Sequence, residues 1–254
     1  MLLPKTTFIG IDLSGGRHPF TFAALDEDRQ LVALASGEVG DVVAFLRNLK
    51  SAVAAVNAPP RPNKGLVRRK MEQQGRAPGH LRGADMRLVE HELRARGISI
   101  SPTPCRQESC SAWMQSGFDL YSILNEAGFE PFPTDKASHQ WLETHPHAAF
   151  CALLGQLPLP KPTLEGRLQR QLVLHANDLG IKDPMGFFEE VTRHWLLKGV
   201  LPMGHIYSPE ELDALVAALT AYQAVRNPKE VVGVGDKEEG QIILPVSYLN
   251  ETYS

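Results

Sequence analysis

The chain has 254 residues, 43% of them hydrophobic, with a formal net charge of -3 at pH 7. That length buries a sizeable core and fits one large domain or two small ones. Three cysteines, Cys105, Cys110 and Cys151, are too few and too irregular for a disulfide framework or a paired zinc site. Met1 to Lys5 does not read as a leader, and no 18-residue apolar run marks a membrane span, so a reduced cytoplasm is the expected compartment. The net charge hides an asymmetry. Residues 60 to 96 carry ten Lys/Arg against four Asp/Glu, which leaves the remainder at a balance of -9. A basic segment within an acidic protein attracts anions locally, phosphates foremost.

In chain order, Phe8-Ile9-Gly10-Ile11-Asp12 is a short apolar run that ends in an acid and breaks into Leu13-Ser14-Gly15-Gly16. The pattern predicts a buried strand delivering a carboxylate, which is costly to bury unless it is paired. Phe20 to Leu25 and Leu31 to Val39 follow as strands joined by the turn-forming Asp26 to Arg29, completing an antiparallel meander. Asp41 to Lys50 has helical spacing, and Ala52 to Val56 is a fully apolar strand made parallel by that crossover. Asn57 closes it before Pro59 and Pro60.

Residues 61 to 135 are irregular and Arg-rich, and read as an insertion covering one edge or face of the sheet. Within it lie a helix from Ala84 to Arg96, stopped by Gly97, a short strand at Ile98 to Ile100 and a helix from Trp113 to Ala127. His139 to His145 reads as a strand with Glu143 near its end, followed by a short helix from Ala148 to Leu154. Leu164 to Asn177 is a polar helix, and Lys161, Arg167 and Arg170 make a second basic group beside it. Ser208-Pro209-Glu210-Glu211 opens a helix with a cap, a first-turn proline and a capping box, which commits Glu211 to structure. The same helix is apolar nearly all round, its alanines allow close approach to a sheet, and Asp213 is its lone buried acid. Val231 to Val234 and Gln241 to Leu244 read as a closing hairpin. Trp113, Trp141 and Trp195 each lie in an apolar periodic stretch and read as core.

The chemistry rests on the acids. Asp12 and Asn57 are expected side by side at the carboxyl ends of adjacent strands, where open α/β sheets place ligands. Glu143 and Asp213 are candidates to converge there. Carboxylates about 4 to 5 Å apart repel by roughly 3 to 4 kcal/mol per pair at an effective dielectric near 20, so a cation or a proton must offset them. Hard divalent ions such as magnesium or manganese take oxygen ligands, and a pair of them supports hydrolysis of a phosphodiester.

Gly10-Ile11-Asp12, Val56-Asn57-Ala58-Pro59, Glu143-Thr144-His145-Pro146, Lys161 with Glu165-Gly166-Arg167, and Asp213 to Ala218 together resemble the motifs of the domain of unknown function 429 (DUF429) family. That family is described as predicted nucleases of ribonuclease-H-like fold. The resemblance spans nearly the full chain. It implies one domain over residues 1–254: a mixed five-stranded sheet flanked by helices, with the Arg-rich insertion near its active edge. It also implies metal-bound acids at Asp12, Glu143 and Asp213. Lys161, Arg167 and Ser14 are the expected phosphate-binding residues. Glu210 has the spacing of a second helical acid, although a first-turn charge favoured by the helix dipole is the preferred explanation. One departure is Asn57, where the family more often has Asp; an amide oxygen binds a hard ion but brings no charge.

The expected function is therefore a nuclease dependent on magnesium or manganese, acting on nucleic acid or a phosphorylated small molecule. Two other classes fit parts of the sequence. Gly10 to Gly16 resembles the first phosphate loop of sugar-kinase and actin-like ATP-dependent phosphotransferases, whose second loop only Gly233-Val234-Gly235-Asp236 approaches. Asn57 also suits a nucleic-acid-binding module that kept the fold and lost its activity.

Overall fold

The computed structural model describes residues 5–13, 20–75, 85–135 and 137–254. Its elements are β1 (Thr7–Asp12), β2 (Phe20–Leu25), β3 (Leu31–Gly37), α1 (Val39–Arg47), β4 (Ala52–Asn57), α2 (Leu66–Gln73), α3 (Leu88–Ala95) and α4 (Ala112–Glu126). They continue with β5 (Glu130–Pro131), β6 (His139–Glu143), α5 (Pro146–Leu154), α6 (Leu164–Ala176), α7 (Met185–Lys198), α8 (Pro209–Arg226), β7 (Val232–Asp236) and β8 (Gly240–Leu244). One mixed sheet has the order β3-β2-β1-β4-β6-β8-β7, with β5 beside β6. The meander β3-β2-β1 is antiparallel, and β1, β4 and β6 run parallel. Eight strands replace the five expected. The closing hairpin joins the sheet, β8 lying parallel to β6 through the pair Glu143 and Ile242, and β5 pairs along β6. Ile98 and Ile100 are buried but form no strand.

Each face of the sheet carries its own apolar layer, set by strand alternation. Ile9, Ile11, Ala54, Val56 and Trp141 point to the side covered by Val42 and Leu46 of α1 and Leu120 and Leu124 of α4. Phe8, Val53, Ala55 and Leu142 point to the other side, covered by α5 and α8. Helix α8 lies across β1, β2 and β4. Its small residues have the expected use: a Cβ on Gly10 of β1 would stand 1.9 Å from the Ala214 carbonyl oxygen and 2.3 Å from the Ala218 nitrogen. Only glycine lets the helix backbone come that near to the strand. Buried Leu212, Leu215, Val216 and Leu219 secure it, each worth about 1.5–3 kcal/mol before the entropy of ordering is subtracted.

The segment from 61 to 135 covers the sheet in two places. Helix α3 packs on the β7 and β8 edge, and α4 joins α1 on one face. Among the described residues no helix is long and apolar enough to cross a membrane. Helix α7 has no counterpart in the sequence reading. It leaves Trp195 61% exposed, which corrects the reading of that residue as core.

Candidate active site

The carboxyl ends of β1, β4 and β6 open into a cleft of about 410 Å³, within the range of a small-ligand site. Asp12 ends β1 and Asn57 ends β4, and the two are paired in register. Alternation puts both on the α8 side, the side of Phe8 and Val53. Asn57 Nδ2 donates to Asp12 Oδ1 at 2.6 Å. Asp12 is 3% exposed, and Asp213, one turn into α8, is 7% exposed. The Asp213 carboxyl is pushed up to about 7, first by burial and then by the charge of Asp12, against the pull of Lys161.

Lys161 supplies the cation. Its Nζ donates to Asp213 Oδ2 at 2.5 Å, and its side chain is 40% exposed. Burial works against the ammonium, but Asp213, Asp12 and Glu210 outweigh it and raise its pKa. The loop that carries Lys161 is pinned. A Cβ on Gly166 would lie 2.0 Å from the Pro160 carbonyl oxygen, Thr163 Oγ1 donates to that oxygen, and Arg170 Nη1 donates to the Leu159 carbonyl. Thr163 also caps α6 by accepting from the Gly166 amide at 3.0 Å.

Glu143 lines the same cleft but comes from the other side of the sheet. Its register partner is Val56, not Asn57, so alternation turns it toward the opposite face of the sheet, the side of Trp141 and Tyr121. There Arg87 takes it in a fork, with Nη1 donating to Oε2 at 2.8 Å and Nη2 to Oε1 at 2.5 Å. Arg87 Nε donates in turn to Glu90, which also accepts from the Thr103 amide and hydroxyl. Burial opposes the charge on Arg87, but Glu143 and Glu90 outweigh it and raise its pKa. All four side chains are buried. This network ties the insertion to β6. Among the described residues, no three His, Cys, Asp or Glu side chains form a group able to hold a metal ion. Asp12, Asp213 and Glu143 all line the one cleft, the first two from the α8 side of the sheet and the third from the other side in the grip of Arg87.

The remaining expected residues divide similarly. Glu210 lines the cleft, and Glu211 completes the capping box with Ser208. Arg167 spends its donors on the carbonyls of Tyr207 and Ile206, and Arg170 is buried against Leu159, Gly166 and Phe150, so these two members of the second basic group hold α6 in place. Ser14 lies outside the described residues. His145 caps α5 by accepting from the Ala148 amide at Nδ1, and burial, then His147, lowers its pKa to about 3. It is a neutral imidazole at the cleft wall whose proton is assigned to Nε2. Gly233 to Asp236, the stand-in for a second phosphate loop, belongs to β7; a Cβ on Gly235 would lie 2.6 Å from Val89 Cβ, so the turn packs against α3.

Arg87 and Glu90 were not legible as site residues, although Arg87-x-x-Glu90 has the spacing that lets the Glu90 carboxylate accept from the Arg87 amide at 3.0 Å. Glu239 was also missed. It is fully buried and accepts from the amides of Lys64, Leu66 and Leu88, joining the β7–β8 turn to the starts of α2 and α3.

The fold and cleft define an α/β protein with a buried acidic pair, a lysine and a clamped glutamate at the carboxyl edge of its parallel strands. The chain belongs to the family described as protein of unknown function (DUF429), whose model matches residues 10–238. No curated protein and no solved structure matches it.

Proposed function

We propose that the protein is a divalent-metal-dependent phosphodiester hydrolase of ribonuclease-H-like fold, acting on nucleic acid where Asp12 and Asp213 meet. The observation that carries this reading is the buried pair itself. Both carboxylates are buried on one side of the sheet, and burial first, then the charge of Asp12, pushes the Asp213 carboxyl up to about 7. Such a pair becomes ionised at low cost only beside a cation. The antiparallel meander followed by parallel β4 and β6 also suits the fold reading.

A three-acid metal cage does not fit, because Arg87 occupies Glu143. A two-carboxylate site does fit the donor chemistry. Oxygen donors alone suit a hard ion, and magnesium commonly takes one or two carboxylates while phosphate oxygens and waters complete its shell. Asp12 and Asp213 would hold it, with the Asn57 amide beside them. Such an ion supplies positive charge to the phosphate and a more acidic water.

The chain's own groups supply the rest. Lys161 keeps its charge and, with a half-exposed side chain, can reach from Asp213 to a phosphate oxygen. His145 presents a neutral N–H donor to the same cleft. Arg87 and Glu143 brace the wall.

Binding without cleavage is the second reading, favoured by the uncharged Asn57 next to Asp12. Incubating the protein with end-labelled single-stranded and structured RNA and DNA, with magnesium or manganese, separates the two. Hydrolysis predicts cleavage that EDTA stops and that Asp12→Asn lowers at least a hundredfold. Tight binding with no cleavage under either ion would establish the second reading.

A further inference from the structure

The sequence reading assigns Trp113 to the core, but only part of it belongs there. The indole is half-buried against the α1 and α4 layer, and it also lines the cleft. Its placement follows from helix α4. Gly117, one turn after Trp113, lets the helix settle onto the loop after β4: a Cβ there would lie 2.6 Å from Ala58 Cβ and 3.7 Å from Leu13 Cδ2. Tyr121, one turn further, donates its hydroxyl to the Ala58 carbonyl at 3.0 Å. The stripe Trp113, Gly117 and Tyr121 thus fixes α4 against the same turn that carries Asn57. Leu13, Pro59 and Ile100 line the cleft with the indole.

The two walls come from opposite sides of the sheet. Trp113 arrives on α4 over one face, whereas Asp213 and its lysine belong to the α8 side. A ligand filling the cleft would therefore meet the indole, with Leu13 and Pro59, on the wall that also carries the Arg87–Glu143 pair, and the Asp12, Asp213, Asn57 and Lys161 groups on the other. A sugar phosphate satisfies only the second wall. A planar heterocycle attached to a phosphate satisfies both, since an indole stacks on the face of any base.

We infer that Trp113, with Leu13, Pro59 and Ile100, forms a slot for a single unpaired nucleobase, and that the substrate is a nucleoside phosphate, either free or at an unpaired position of a strand. A base paired in a duplex cannot bring its face to an indole inside a cleft of this size. The inference rests on the phosphate-end reading proposed above and names what lies at the other end of the substrate.

The test uses ligands without a cleavable diester. Isothermal titration of the full-length protein in magnesium compares 5′-AMP with ribose 5-phosphate, then a phosphorothioate single strand with its blunt duplex. AMP is expected to bind about fivefold to a hundredfold more tightly than ribose 5-phosphate, and the single strand more tightly than the duplex. Trp113→Leu should bring AMP close to ribose 5-phosphate, while Trp113→Phe keeps most of the difference. AMP binding better than the strand identifies a free nucleotide as the ligand, and the reverse order identifies a strand; both support the slot. Equal affinity for AMP and ribose 5-phosphate, a duplex bound as tightly as the single strand, or a folded Trp113→Leu protein with unchanged preference would overturn it. The wild-type comparison decides the matter even if the leucine variant does not fold. Base-dependent binding without cleavage of any oligonucleotide removes the hydrolytic reading and leaves the slot. Cleavage with base-independent binding does the opposite.

Discussion

Replacing Asp213 by Asn should stabilise the protein while removing a group that the proposed reaction requires. The carboxyl titrates at 3.8 when free and at about 7 when folded, because burial and then Asp12 disfavour its charge more than Lys161 favours it. A carboxyl whose folded pKa is raised contributes stability that is complete below 3.8 and is lost as pH rises through 7. Each pH unit between those values is worth about 1.4 kcal/mol. The raised pKa therefore costs the fold about 4 kcal/mol at pH 8, where the folded carboxyl is charged, and about 2 kcal/mol at pH 5, where it keeps its proton while the unfolded carboxyl is ionised; a neutral amide of the same shape escapes both. The lysine contact is already contained in the folded value, and its half-exposed ammonium can return to water. Urea unfolding of wild type and Asp213→Asn in EDTA, from pH 4 to 8.5, reads the difference directly. A stability gain that grows with pH and levels off above 7 is expected. A loss at pH 8, or a gain that does not change with pH, would refute the reasoning.

Three further perturbations probe the supports of the site. Arg87→Ala strands two buried carboxylates and should cost about 3–5 kcal/mol, seen as a lowered urea midpoint; a change under 1 kcal/mol would mean that Glu143 finds another partner. Asn57→Asp replaces a donor to Asp12 by a second charge at 2.6 Å. With the two carboxylates relaxed to about 4 to 5 Å apart it should lower stability in EDTA by about 3–4 kcal/mol, and added magnesium should restore more stability than it adds to wild type. Gly10→Ala places a methyl against the Ala214 carbonyl oxygen and should destabilise by at least about 2 kcal/mol, with a melting temperature near that of wild type as the contrary result.

Elements whose signals are local were legible. Strands β1 to β4 show as apolar runs between turn residues, and α8 declares its start through Ser208, Pro209 and Glu211. The pairing of Asp12 with Asn57 follows from the crossover that makes β4 parallel to β1. The fate of Glu143 does not. Which way it points depends on whether β6 aligns Glu143 with Val56 or with Asn57, and one residue of register reverses the face. Nothing in the run from His139 to Glu143 fixes that offset. Arg87 is similarly hidden, because a lone arginine before an apolar helix looks solvated until its two carboxylates are found 56 and 3 residues away. Helix α7 escaped because its apolar residues give no buried stripe: Phe187 is its only buried residue, and Leu196 and Leu197 are exposed. Trp113 was read as core since its spacing is that of a core residue, and its cleft-facing side depends on how Gly117 seats α4.

The acidic pair as a divalent-ion site is tested most directly by anomalous diffraction from crystals soaked in manganese at pH 8. A manganese peak bonded to Asp12 and Asp213, with Lys161 moved off Asp213 and the Arg87–Glu143 fork intact, is the expected result. Crystals that take up manganese only elsewhere, with Lys161 still bound to Asp213, would contradict it.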